Sequence, residues 1–317
     1  MDTPAPRIVS LLPAATEIVA ALGLGRSLVG RSHECDWPPG VEAVPCLTRP
    51  RIDPAASSRA IHEAVGRGLA DRGTSRSLFE LDVGRLLELR PDVILTQAAC
   101  DVCAIAAADV EEAVCRSGRP VRIVALAPAS LDDLWHDILT VADAAGALPQ
   151  GRDLVGRLRG RVRSIACRTA VLARRDGWRP PRVAVVEWLD PPMAAGNWSP
   201  ELVRLAGGED PLGRPGRHSH WIQWADLAAI DPDVVVLVPC GFPLARVVAE
   251  AGSAAVRSHL APLRARREGR VHAVDGHHLF NRPGPRLVDS LEALAELLHP
   301  SDFRFAVTSR FTVRLSG

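Results

Sequence analysis

The side chains in this sequence that could do chemistry gather at a few places. Cys100 and Cys103 have two residues between them, a spacing at which two thiolates can chelate one soft metal or form a reversible disulfide. No second Cys-x-x-Cys is present, but Cys35 and Cys240 could complete a four-thiolate set suited to zinc or an iron–sulfur cluster. His33 lies beside Glu34 and Asp36, and His277-His278 follow Asp275-Gly276, so His33 and His278 are further candidate metal ligands. On an extended segment His277 and His278 would point to opposite sides, and only one would face a site. Trp37, Trp188, Trp198 and Phe280 are four of only 13 aromatic residues, and they suit the walls of a bulky planar or apolar ligand. Arg49, Arg51 and Arg282 could meet polar groups at its edge, and Glu187 adds a carboxylate.

These residues follow short apolar runs that read as buried strands: Ile8–Leu12, Ser27–Arg31, Asp92–Thr96, Val121–Ala127, Val183–Glu187, Val234–Val238 and Val271–Val274. Helical patterns lie between them, among them Glu17–Leu22, which stops at Gly23, and Leu287–Leu298. Such alternation predicts parallel sheets covered on both faces. Ligands of parallel sheets bind beyond the carboxyl ends of the strands. That is where Ser32–Trp37, Gln97–Cys103, Glu187–Trp198, Pro239–Phe242 and Asp275–Arg282 stand. Cys115 and Cys167 fall in helical stretches and are expected in the core, and His218-Ser219-His220 in a solvated turn.

From Leu131 to Arg174 strands disappear, and Trp135, Ile138, Leu154, Leu158, Val162 and Ile165 recur at helical spacing. Two echoes flank this middle. Leu86–Leu95 reads LLELRPDVIL, and 141 residues later Leu227–Val236 reads LAAIDPDVVV. Thr16-Glu17-Ile18-Val19 likewise pairs with Pro200-Glu201-Leu202-Val203, each followed by a glycine stop. The expected fold class is α/β, with two Rossmann-like lobes, each a small parallel sheet, bridged by a long α-helix. The expected divisions are an N-terminal lobe over 1–130, a helical segment over 131–180, a C-terminal lobe over 181–300 and a tail over 301–317. Phe303, Phe305, Val307 and Phe311 in the tail leave an edge strand and a loose end both open.

Charge gives no case for nucleic acid or an anionic membrane as the main partner: 38 basic residues, all arginine, face 37 acids for a net +1. Seven cysteines, unevenly spread, make no disulfide framework and fit a reducing compartment. Met1–Arg7 and the interrupted apolar stretch after it make a poor secretory signal, and no run approaches the roughly 18 apolar residues of a spanning helix. A cytoplasmic location without a membrane span is expected, or a periplasmic or extracellular one if the start site is misassigned. Gly-x-Ser-x-Gly, His-Glu-x-x-His and Gly-x-x-x-x-Gly-Lys are missing, and no nucleophile stands out with its base.

The opening Ile8-Val9-Ser10-Leu11-Leu12-Pro13-Ala14-Ala15-Thr16-Glu17-Ile18, with Ala21-Leu22-Gly23, resembles the start of the helical-backbone (class III) substrate-binding proteins of ABC importers. Leu89-Arg90-Pro91-Asp92-Val93-Ile94, Pro200–Val203 with Ala206-Gly207-Gly208, and Asp231–Val234 match further landmarks, and the similarity spans roughly residues 7 to 299. Within that family the chain looks most like the cobalamin-binding branch. It is similar there to a cytoplasmic, Cys-rich subgroup with Gly30–Asp36, Cys100–Cys103 and Glu187–Pro192. The resemblance implies two α/β lobes joined by one rigid helix near Arg152–Leu172, a largely pre-formed cleft, and an ABC-type permease as partner.

Two functional readings follow. In the first, a binding protein rather than an enzyme holds cobalamin or a related metal chelate, such as haem or an iron–siderophore. Trp37, Trp188, Trp198 and Phe280 wall it, Arg49 and Arg282 hold its edge, and His33, Cys35 or Cys100 approach the metal. In the second, a cytoplasmic metalloprotein or metalloenzyme holds zinc or an iron–sulfur cluster on Cys35, Cys100, Cys103 and Cys240, with Glu34, Asp101 or Glu187 as acid or base. Thiol redox at Cys100–Cys103 is a third. Glu17 and Glu201 hold matching places and could dock basic residues of a partner, though carboxylates also suit the first turn of a helix.

Overall fold

The structure is a computed structural model that describes residues 5–70, 78–98, 105, 107–115 and 118–315; Cys100, Asp101 and Cys103 lie outside the described residues. The chain divides into two compact units. The first takes Met1–Ala56, Ala60–Pro128 and Asp132–Arg157, and the second Ser57–Arg59, Ala129–Leu131 and Leu158–Gly317.

In the first unit, β1 (Ile8–Ser10), β2 (Leu28–Arg31), β5 (Val93–Gln97) and β6 (Arg122–Leu126) form a four-stranded sheet in the order β2-β1-β5-β6, parallel throughout. All residues of β1 and β5 are buried, as expected of inner strands covered on both faces. β3 (Thr48–Pro50) and β4 (Phe79–Leu81) form a separate antiparallel pair. Val9, Leu11, Leu47, Leu86, Ile94, Ile105, Val110 and Ala113 make one core cluster, which joins β1 and β5 to the flanking segments. The first helix, Pro13–Ala21, starts with proline in its first turn and stops at Gly23, whose φ of 80° favours glycine.

The second unit is built on six strands: β7 (Val183–Leu189), β8 (Pro192–Ala194), β9 (His220–Trp221), β10 (Val234–Leu237), β11 (Val271–Val274) and β12 (Thr312–Arg314). Their order is β12-β11-β10-β7-β8-β9, with β7, β10 and β11 parallel and the others antiparallel. The helix Leu287–Leu298 is buried along nearly its whole length. The tail is part of the fold: β12 is an edge strand, and Phe303 is 1% exposed. Glu296 fixes the approach, accepting from the N–H groups of Phe305, Ala306 and Thr308.

The helix Leu148–Leu172 belongs to the first unit through Arg157 and to the second from Leu158. Its buried residues Leu154, Leu158, Ile165 and Leu172 recur at helical spacing. Two expectations fail at this level. Cys115 and Cys167 are in helices but exposed. Each stands two residues beyond a buried position, Ala113 and Ile165, which turns it about 200° away from the packed face. No helix among the described residues is long and apolar enough to cross a membrane.

Candidate functional site

In the second unit the loops after β7, β10 and β11 are fixed to one another by backbone. Gly276 N–H donates to the Phe242 carbonyl at 2.9 Å, and Gly241 N–H to the Gly276 carbonyl at 3.2 Å. A Cβ at Gly276 would collide with the Pro239 carbonyl, so only glycine permits this approach. The Asn281 amide adds bonds to the Val238 and Gly276 carbonyls at 3.1 and 2.9 Å. The strand ends therefore form a stiff platform rather than mobile tips.

The chemistry on this platform sits after β11. Asp275 Oδ1 accepts from the N–H groups of His277 and His278 at 3.0 and 2.8 Å, closing a tight turn. Its Oδ2 lies 3.0 Å from His278 Nδ1. Burial works against the Asp275 carboxylate, but the His278 ring and the two N–H groups outweigh it and hold its pKa below the usual range. The Arg282 guanidinium is buried and lies 2.8 Å from His277 Nε2. The segment is a turn, not an extended strand, so the expected divergence of the two histidines does not occur. Their rings meet edge to face with centroids 4.8 Å apart.

The aromatic candidates are held by specific bonds. Trp188 Nε1 donates to the Ser58 carbonyl at 3.2 Å, and its ring meets Phe242 edge-on at 5.1 Å. Trp198 Nε1 donates to the Phe280 carbonyl at 2.6 Å. Phe280, at 1% exposure, presents almost no ring surface and braces the turn through its N–H to Ser290 Oγ. Sequence reasoning passed over Trp221, which is 51% exposed and pairs across β9 with Met193, itself paired with Trp188. Its signal was present: a tryptophan in a Gly/Pro/Arg-rich stretch has little core to enter. The neighbouring turn is only partly solvated, because Ser219 Oγ donates to Glu187 and His220 is half-buried in β9.

Glu187 is fully enclosed. It accepts from Ser199 Oγ at 2.7 Å and also from Ser219 and the Gly196 N–H, while burial pushes its pKa up. From within β7 it ties the segment after β8 to the residue before β9 and anchors the loop after β10 through its carbonyl, which accepts from the Cys240 N–H at 3.1 Å. Cys240 itself is half-buried.

In the first unit, His33 follows β2, with its N–H and its Nδ1 2.9 and 2.6 Å from Thr48 Oγ1. Its Nε2 lies 3.4 Å from a Glu34 oxygen, and its ring packs 5.2 Å from Phe79. Cys35 is buried, with its Sγ 3.0 Å from Thr16 Oγ1, inside a cluster that continues to Ser10. Trp37 is half-buried. Arg49 is 73% exposed and makes a two-pronged pair with Glu80 across β3 and β4, at 2.9 and 2.6 Å. Glu17 is buried at 3% exposure, which leaves it no surface for docking, whereas Glu201 is partly exposed and accepts from the Leu131 N–H.

Residues 8–271 match the family model described as periplasmic binding protein. A curated relative, the uncharacterized ABC transporter substrate-binding lipoprotein YvrC of Bacillus subtilis, is 24% identical over 300 residues, covering 94% of this chain and 81% of the relative. Among solved structures, a periplasmic heme binding protein from Pseudomonas aeruginosa is 23% identical with a TM-score of 0.70, covering 94% of each chain. The periplasmic vitamin B12 binding protein BtuF of Vibrio cholerae is 22% identical with a TM-score of 0.65, covering 93% of this chain and 97% of its own. These structures share the fold of two α/β units with parallel sheets. With more than half its length matched by the family model, the chain belongs to the periplasmic binding protein family.

Proposed function

We propose that this protein is the substrate-binding component of an ABC importer for a metal chelate with a flat macrocycle, cobalamin or haem. The observation that carries the reading is the Asp275–His278 pair, with Oδ2 and Nδ1 3.0 Å apart. A carboxylate on one ring nitrogen fixes the tautomer and aims the other at a metal, and it raises the basicity of that donor. Arg282 and His277 stand beside the pair for polar groups of the ligand, and Trp221, four strands along the sheet on β9, offers an exposed flat side chain for the far edge of a large ligand. Relatives that share the fold are named for heme and vitamin B12, which supports the same class of cargo. Zinc or iron–sulfur chemistry has less behind it, since the Cys35 thiol is packed in the first unit's core beside Thr16.

The test is an absorption spectrum with metal analysis of protein purified without oxygen. Cobalt with corrin bands, or iron with porphyrin bands, is expected from cells supplied with the chelate. Stoichiometric zinc, or iron with sulfide, without a macrocycle would overturn the reading.

A further inference from the structure

Charge is balanced over this chain but not along it. The stretch Leu148–Arg175 holds 8 of the 38 arginines and 1 of the 37 acids, a net +7 that leaves the remaining residues at −6. Base composition explains arginine in place of lysine. It does not explain the missing acids, of which such a stretch would hold several at the chain's own frequency.

Seven of these arginines fall into two sets, while the eighth, Arg157, is exposed about 140° round the helix from Arg152. Arg161 pairs with Asp289 and Glu292 at 2.5 and 2.8 Å, Arg175 pairs with Asp302 at 2.6 Å, and the Arg168 guanidinium lies 4.4 Å over the Phe303 ring. Those three help to pack the helix. Arg152, Arg163 and Arg174 are exposed and have no acidic partner among the described residues. They stand eleven residues apart along the helix Leu148–Leu172 and just past its end. Eleven residues are about three turns, so the three side chains align within about 40° and span about 33 Å. Arg159, also exposed, falls on the same stripe one turn before Arg163. Between the arginines the stripe is smooth: at Gly156 a Cβ would meet open space. The nearest acid, Asp153, is turned about 100° away.

A straight row of widely spaced guanidinium groups along one helix, with no aromatic side chain among them, suits a plane of phosphates. It lacks the stacking groups that bind single strands. We propose that the Arg152–Arg163–Arg174 stripe is a docking face for anionic lipid headgroups, which lays the long helix along a membrane surface. Guanidinium pairs well with phosphate oxygens, and juxtamembrane cations add affinity one by one. The proposal does not depend on which chelate the protein carries.

The experiment is co-sedimentation of the full chain with vesicles of equal phosphatidylglycerol and phosphatidylcholine, and with vesicles of phosphatidylcholine alone. Binding to the anionic vesicles only is expected, weakening as salt rises. The triple variant R152Q/R163Q/R174Q should bind about a hundredfold more weakly, at about fivefold for each arginine. A control of equal charge change, R26Q/R217Q/R257Q, should bind nearly as the wild type does. These control arginines are exposed and far from the helix in sequence. Absence of binding to anionic vesicles would overturn the proposal, as would equal losses in the two triple variants. Displacement from the vesicles by duplex DNA at matched phosphate concentration would also overturn it and assign the stripe to nucleic acid.

Discussion

Asp92 and Asp233 make the same connection, one in each unit. Asp92 Oδ2 accepts from the Arg7 N–H at 2.9 Å, and Asp233 Oδ2 from the Arg182 N–H at 2.8 Å. Each arginine stands just before the first parallel strand of its unit, and its carbonyl accepts in return from the aspartate N–H at 2.9 and 2.8 Å. Two residues earlier the chain turns left-handed with φ of 43° at both Arg90 and Asp231. The second echo agrees, since Gly23 and Gly207 have φ of 80° and 82°. Repetition in the sequence is thus repetition of backbone geometry, which supports reading the two units as versions of one design.

The two aspartates differ in surroundings, which separates their expected contributions. Asp92 is half-exposed, and Asp233 is 8% exposed between Arg179 and Arg264. Arg179 above all, with the Arg182 N–H and Arg264, holds the Asp233 pKa far below the usual range despite burial. Asp233→Asn should cost about 2–3 kcal/mol at pH 7, and Asp92→Asn less than about 1 kcal/mol. A depressed carboxylate contributes stability above its unfolded pKa and loses it as pH falls through its folded one. The gap between wild type and Asp233→Asn in urea melts should therefore be full at pH 7 and narrow below about pH 4. A gap that stays constant down to pH 2 would contradict this.

Asp210 has the opposite sign. Burial raises its pKa to about 7, the nearby Glu187 adds to this, and the N–H groups of Gly213 and Leu212 oppose it. Its Oδ1 accepts those two N–H groups at 2.9 and 3.1 Å, while Oδ2 is enclosed without a partner among the described residues. A carboxyl group raised in this way weakens the fold as pH climbs through its folded pKa. Asp210→Asn keeps the Oδ1 bonds and removes the charge, so it should raise stability by about 2 kcal/mol at pH 8. The two proteins should converge only as pH falls to about 4, the unfolded pKa, and thermal melts between that pH and pH 8 decide it.

At the candidate site, Asp275→Asn can still accept the two N–H groups of the turn but no longer sets a carboxylate charge against His278 Nδ1. Loss of such a supporting carboxylate should weaken metal-chelate binding by about 10–100-fold. The melting temperature should move little, and an unchanged affinity would remove Asp275 from the site.

Trp221→Ala separates packing from binding. The side chain is 51% exposed, so truncation should leave stability within about 0.5 kcal/mol. Loss of an aromatic contact should weaken chelate binding by roughly tenfold. Equal binding by wild type and variant would remove Trp221 from the binding surface.

The parallel strands, the final helix and the clustering of polar residues at strand ends were legible in the sequence, because buried strands leave continuous apolar runs, and even the three-residue β1 lies in the run Ile8–Leu12. β3, β4, β8 and β9 were not, since two or three residues are too few to show a period. The family followed from local motifs such as Leu89–Ile94, but side-chain direction did not. Cys167 reads as a core residue and Arg49 as a ligand contact on paper, and helix phase turns the first to solvent while Glu80 engages the second. The pairing of His278 with Asp275 was hidden by treating that segment as extended, although Asp-Gly before two histidines is itself a turn signal.

The most direct test of the central claim is an absorbance titration of the apo protein with haemin and with hydroxocobalamin, in parallel with His278→Ala. Saturable one-to-one binding of at least one chelate, with a shifted metal-sensitive band that His278→Ala abolishes or displaces, is the predicted result. No saturable binding of either chelate at tens of micromolar, or spectra identical in wild type and variant, would contradict it.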